Sequence, residues 1–245
     1  MNRKREMNVT YLLNSGFLIR AGHLWLVFDD FRDPSDAVSA AAAKAGSDKI
    51  YFFASHWHYD HYDPSIGAFG REAARYILSD DIRVRADTSP LPPEKITYVK
   101  TYDHWQDGQI DVVTYSSTDE GTSFQVTTEA GTIFHAGDFN WWDWTGDTHE
   151  NRQLAANGFH KQLKRMAGMQ ADLAFFPVDG RLGSSMEKGV REFVRTAEIR
   201  SLVTMHSVGY PAWQPSMDFF PPGRSIPVWS PRSPGEEKVF SFPAE

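Results

Sequence analysis

The feature that most constrains this 245-residue chain is the run His56-Trp57-His58-Tyr59-Asp60-His61, which begins just past the apolar stretch Lys49 to Phe53. That stretch reads as a buried strand. The fold must therefore gather three imidazoles and a carboxylate at the end of one strand. In extended backbone, residues two apart point to the same side, so His56 and His58 can grip one ion. A turn immediately after them lets Asp60 and His61 swing toward a second ion close by. A polar surface loop is the bland alternative, but three His and one Asp in six positions at a strand end favour a metal site.

Two metals need ligands from elsewhere, and two further strand ends supply them. Gly131 to His135 reads as a strand ending in Ala136-Gly137-Asp138, which leaves Asp138 at a sheet edge, able to bridge two ions. Ser201 to Met205 reads as a strand ending in His206, placed to complete the second site. Either residue alone would be read as structural, an Asp in a turn or a hydrogen-bonded His. Their repeated position at strand ends raises the functional reading. The chain has no cysteine, which excludes thiolate sites and disulfides and leaves His, Asp and Glu as the possible ligands.

The rest of the chain reads as many short strands with strand-helix units among them. Met7 to Leu13 and Gly16 to Ala21 flank an Asn14-Ser15-Gly16 turn, and Leu24 to Phe28 ends at Asp29-Asp30. An alanine-rich helix is expected from Ser35 to Ala45, with capping chemistry in Asp33 to Asp36 and a stop at Gly46. Strand-like pieces follow at Tyr76 to Leu78, Ile96 to Val99, Asp111 to Tyr115 and Ser123 to Thr127. Asn151 to Met169 reads as a helix and Leu173 to Phe176 as a strand. Ser184-Ser185-Met186-Glu187 reads as a capping box opening a helix to about Glu198. The Pro- and aromatic-rich tail, Tyr210 to Pro234, reads as an ordered wrap. This pattern implies one domain over residues 1–245, with sheets packed face to face and helices outside.

The matching pieces in order are the strand-end acid Asp29, the His56 to His61 run, the Gly137-Asp138 turn and the late His206. Together they resemble the metallo-β-lactamase-fold superfamily of hydrolases, over about Met7 to His206. Ile133 to Asp138 and Phe175-Phe176-Pro177-Val178-Asp179 are similar to a bacterial branch distantly related to ascorbate-phosphate lactonases. The resemblance implies an α/β (α+β) fold, a four-layer αββα sandwich with metals at one edge between the sheets. By that matching His56 and His58 bind the first metal, Asp60, His61 and His206 the second, and Asp138 lies between them. The metals implied are one or two Zn²⁺ ions.

One departure stands out. The superfamily usually has a further histidine between the His-rich run and the Gly-Asp turn. The corresponding stretch here is Tyr115-Ser116-Ser117-Thr118-Asp119-Glu120-Gly121, without a histidine. Either Asp119 or Glu120 substitutes, or fewer protein ligands hold the first metal. A carboxylate in that shell would admit a harder ion such as Mn²⁺ or Fe²⁺. Asp29 is expected to support the loop by hydrogen bonds rather than touch metal.

The function these residues point to is hydrolysis of a small polar ester, lactone or phosphoester by metal-activated water, with Asp60 and His61 as catalytic groups. Trp141 and Trp142, with Phe139 and Trp144, could wall a substrate pocket or pack in the core. Arg181 could receive an anionic group or simply pair with Asp179. A nucleic-acid-processing phosphodiesterase is the second reading, disfavoured by the net charge of −7 and by a lone basic cluster at Arg3-Lys4-Arg5. A metal-binding or sensing protein with little catalysis is the third. The apolar run Val9 to Leu13 is too short for a signal core or membrane span, and a cytoplasmic protein is expected. The aromatics of Tyr210 to Trp229 could serve a homo-oligomer interface or cover a sheet edge.

Overall fold

A computed structural model describes residues 5–207 and 209–243; Arg3 and Lys4 of the basic cluster lie outside them. Strands β1 (Arg5–Leu13), β2 (Gly16–Ala21) and β3 (Leu24–Phe28) form an antiparallel meander. Helix α1 (Ala37–Ala45) crosses to β4 (Lys49–Ala54), and β5 (Ala73–Ser79) and β6 (Ile96–Val99) extend the same sheet in parallel, with α2 (Ile82–Arg85) between them. The second sheet repeats the plan. Antiparallel β7 (His104–Gln106), β8 (Asp111–Ser116), β9 (Thr122–Thr128) and β10 (Gly131–His135) come first. Helix α3 (His149–Arg165), β11 (Gln170–Pro177), α4 (Lys188–Thr196), β12 (Glu198–Met205) and the short β13 (Val228–Trp229) follow, all strands now parallel. β14 (Glu237–Phe242) returns to pair antiparallel with β1. Among the described residues each sheet has seven strands.

Alternation along the strands builds the layers. In β4, Tyr51 and Phe53 enter the core between the sheets, whereas Ile50, Phe52 and Ala54 face an outer layer shared with Val38 and Ala41 of α1. Phe159 and Leu163 of α3, and Val190, Phe193 and Val194 of α4, close the other face. This is the expected αββα sandwich. Among the described residues no helix is long and apolar enough to cross a membrane.

Several boundaries differ from those expected. α1 starts at Ala37 rather than Ser35, because the Asp33 carboxylate already accepts from the Ser35 and Val38 amides, 3.0 and 2.8 Å away. α3 starts earlier, at His149, capped by Thr148, and ends at Arg165 rather than Met169. The capping box at Ser184 does not form. A 3₁₀ segment, Gly180–Ser185, precedes α4. The Glu187 carboxylate is taken instead by Trp213 Nε1 at 2.8 Å and by Arg191 at 2.7 Å. Those bonds, with Trp213 and Phe219 buried, fasten the tail across α4 as an ordered wrap.

Candidate metal centre

The carboxyl ends of the parallel strands converge at one edge of the sandwich, where chemistry-bearing residues sit in open α/β sheets. Asp29 follows β3, His56 follows β4, Asp138 follows β10, Asp179 follows β11 and His206 follows β12. Asp29 is fully buried and has φ +46°. It accepts from Ser55 N at 2.7 Å, Ser55 Oγ at 2.8 Å and His61 Nδ1 at 2.7 Å. It thereby organises the loop from behind, the supporting position expected of it. Past His58 the chain turns tightly, its carbonyl accepting from the His61 and Tyr62 amides, both at 3.0 Å. That turn carries Asp60 and His61 back toward the cluster.

Two sets of side chains result, each compact enough to hold one ion: His56, His58, Asp119 and Asp138 in the first, and Asp60, His61 and His206 in the second. In the first set His56 Nε2 lies 3.0 Å from His58 Nδ1 and 3.7 Å from Asp138 Oδ2, and His58 Nδ1 lies 3.5 Å from Asp119 Oδ2. Asp138 turns its other oxygen to the second set. Oδ1 is 3.2 Å from His61 Nε2 and 3.5 Å from His206 Nε2, and Asp60 Oδ2 closes that group at 3.7 and 3.8 Å from the same nitrogens.

The electrostatics of this pocket call for a cation. Burial, and then the neighbouring His61, push His56 down to about 3, so it presents a neutral ring. Burial opposes charge on His61 and His206 too, yet both are raised because carboxylates surround them, Asp138 first in each case. Burial would lift Asp138, but His61 and His206 outweigh it and hold the carboxyl well below its ordinary range. Buried His61 Nε2 and Asp138 Oδ1 nevertheless have no hydrogen-bond partner, their 3.2 Å approach lacking the required alignment. A divalent ion would satisfy both atoms and supply the positive charge, and the His/Asp donors suit zinc, iron or manganese.

The stretch without a histidine delivers Asp119 to the first set, while Glu120 turns to Arg85, 3.7 Å away. Gly121 makes this possible. It has φ +67°, and a Cβ there would come within 2.0 Å of Ser55 O. The glycine lets the loop close on the strand end that bears His56. Asn14 is a residue the sequence reading passed over as a turn. At φ +54° it donates from Nδ2 to Asp60 Oδ2 at 3.0 Å, and its carbonyl accepts from the His206 amide at 3.1 Å. Its place in an Asn-Ser-Gly turn is the only sequence signal it carries. Ser55, bonded to Asp29 and 3.0 Å from His56 Nδ1, was likewise unmarked.

The remaining candidates separate. Trp142 stands edge-on to His206 with 5.6 Å between ring centroids, donates from Nε1 to Asp138 O, and stacks on Trp144 at 5.7 Å. Trp141 instead packs on Phe159 and His160 of α3. Arg181 pairs with Asp179 at 2.6 Å, and Asp179 Oδ2 lies 3.3 Å from His206 Nδ1. His135 is structural: it reaches Ser15 O at 2.9 Å and stacks on Phe28. His104 pairs with Asp111 at the surface.

No family model matches the chain, and no curated protein does. Solved structures match throughout its length. Igni18, a metallo hydrolase from Ignicoccus hospitalis, superposes with a TM-score of 0.64 at 15% identity, covering 97% of this chain and 99% of its own. YhfI from Bacillus subtilis, a metallo-β-lactamase fold protein, gives 0.55 at 14% identity, with 97% and 99% covered. CmlA, a diiron β-hydroxylase from Streptomyces venezuelae, gives 0.56 at 13% identity over 82% of this chain and 45% of its own. The chain has the metallo-β-lactamase fold.

Proposed function

We propose that this protein is a metal-dependent hydrolase of a small polar ester, lactone or phosphoester. The observation that carries the reading is Asp138, which divides its two oxygens between the ligand sets at 3.7 Å on one side and 3.2 Å on the other. His56, His58 and Asp119 would hold one ion, and Asp60, His61 and His206 the other, with Asp138 shared. Bound there, divalent ions lower the pKa of water toward neutrality and polarise a carbonyl or phosphoryl oxygen.

The chain's own residues would then orient the reactants. Asp60, steadied by Asn14 and 25% exposed, can hold a proton or pass it to a leaving group. His61, fixed through Nδ1 by Asp29, keeps Nε2 aimed at the centre. Asp179 Oδ2, 3.3 Å from His206 Nδ1, supports that ring by charge from its other side. The first set is the more open of the two, its His58 and Asp119 side chains 32% and 44% exposed.

Counting Asp138 in both, each set has two imidazoles and two carboxylates. That mixture favours iron or manganese more than an all-histidine shell would, with zinc still accommodated. CmlA, which is similar to this chain over 45% of its own length, is a diiron enzyme. The presence of Asp119 where the histidine is missing removes the reason for preferring a sensing role. Alanine at Asp138 should abolish both metal retention and hydrolysis of generic lactone, ester and phosphodiester substrates. Retention of both would defeat the proposal.

A further inference from the structure

We infer that the substrate carries an oxyanion, a carboxylate or phosphate, that is received by Arg181 beside the second ligand set; the inference rests on the hydrolase reading for its substrate. Arg181 Nε and Nη2 are spent on Asp179, at 2.9–3.0 Å and 2.6 Å. Nη1 makes no hydrogen bond among the described residues, and the side chain is 42% exposed. The guanidinium is thus held along one edge and offers the other outward. Its charge also reaches Asp60 and Asp138, so it stands within electrostatic range of the reacting centre.

The setting is rigid. The guanidinium lies over the Trp144 ring at 5.3 Å, Trp144 stacks on Trp142, and Trp142 abuts His206. Between the two tryptophans Asp143 is buried and bound by Arg152 from α3, by Ser185 and by Lys188 from α4. The loop carrying the wall is therefore clamped to both helices. An arginine preorganised in this way suits fork-like recognition of a planar oxyanion.

The opening on the His58 side of the cluster does not suit an anion. It is a cavity of about 550 Å³ lined by Trp57, Tyr59, Tyr62 and Pro64, with His58, Asp60, Asp63 and Asp87 also in its wall. Its rings suit an apolar portion of a substrate, and its carboxylates repel negative charge. The oxyanion and the apolar part are thereby sorted to the His206 and His58 sides of the cluster.

The test compares metal-loaded wild type with Arg181→Met and Arg181→Lys at equal metal content. Three matched lactones are assayed: one neutral, one bearing a carboxylate and one bearing a phosphate ester. Arg181→Met should lower kcat/KM for an anionic lactone about tenfold to a hundredfold more than for the neutral one, with the lysine variant between. Which anionic lactone responds tells carboxylate from phosphate. Inhibition or binding by inorganic phosphate, measured calorimetrically, should weaken in parallel. This arm stands even if no lactone is hydrolysed, so failure of the hydrolase reading and failure of the anion subsite remain distinguishable. Equal losses on neutral and anionic lactones, or unchanged phosphate affinity in both variants, would overturn the inference and leave Arg181 as a brace for Asp179. If the methionine variant does not fold, the lysine variant decides by the same comparison.

Discussion

Replacing Gly121 by alanine should detach the first ligand set from the second, and the structure gives the size of the effect. The residue sits at φ +67°, where an L side chain costs about 1–2 kcal/mol. Its new Cβ would fall 2.0 Å from Ser55 O and 2.6 Å from the His56 Cβ, so the loop must retreat by about 1.5 Å to reach ordinary contact. That movement breaks the bond from Thr122 N to Ser55 O, 2.9 Å long, at about 1 kcal/mol. The total is about 2–3 kcal/mol, or a fall in Tm of about 4–6 °C for a chain of this size. Gly108→Ala provides the control. It has φ +83° and nothing within 4 Å of the added carbon, so it should lose only about 1–2 kcal/mol. Calorimetry gives the Tm, and elemental mass spectrometry should find the Gly121 variant depleted of one ion. If Gly121→Ala costs no more than Gly108→Ala and keeps the wild-type metal content, the loop does not hold Asp119 against the strand end as described.

Asn14→Ala should weaken metal retention by the second set about tenfold to a hundredfold while sparing the first, read by chelator titration; equal loss from both would contradict the role assigned to the turn. Asn14→Asp should be worse, since it sets a second carboxylate 3.0 Å from Asp60. Burial first, and then Asp33 and Asp63, push half-buried Asp30 up to about 7. The folded state therefore binds more protons than the unfolded state between about pH 4 and 7, and stability falls as pH rises through that window. Asp30→Asn should remove the fall. In urea melts with chelator present, the variant should match wild type near pH 4 and exceed it by about 2 kcal/mol at pH 8, after allowing for partial exposure; no difference at pH 8 would refute this.

Much of the edge where the site lies was legible because strand ends announce themselves. An apolar run followed by His56, Asp138 or His206 fixes both where a strand stops and which side chain stands there. The sandwich followed from counting strands before helices. What was not legible depends on contacts distant in sequence. Asn14 meets Asp60 and His206 only once β1, β4 and β12 lie in their sheets. Choosing Asp119 over Glu120 required knowing that Gly121 touches Ser55. The misplaced capping box has the same origin, since Glu187 is claimed by Trp213 and Arg191. β14 did carry a signal: from Glu237 to Phe242 burial alternates toward Phe240 and Phe242, but its partner β1 is at the far end of the chain. Trp141 and Trp142 are adjacent and alike in type, so only the packed loop distinguishes the one at the site from the one on α3.

The measurement that bears most directly on the central claim is metal content per chain by elemental mass spectrometry, on wild type, His56→Ala and His206→Ala. Two ions in the wild type, with each variant losing mainly one, is the result expected from two ligand sets joined by Asp138 and completed by Asp119. A single ion in the wild type, lost with His206→Ala and untouched by His56→Ala, would contradict it.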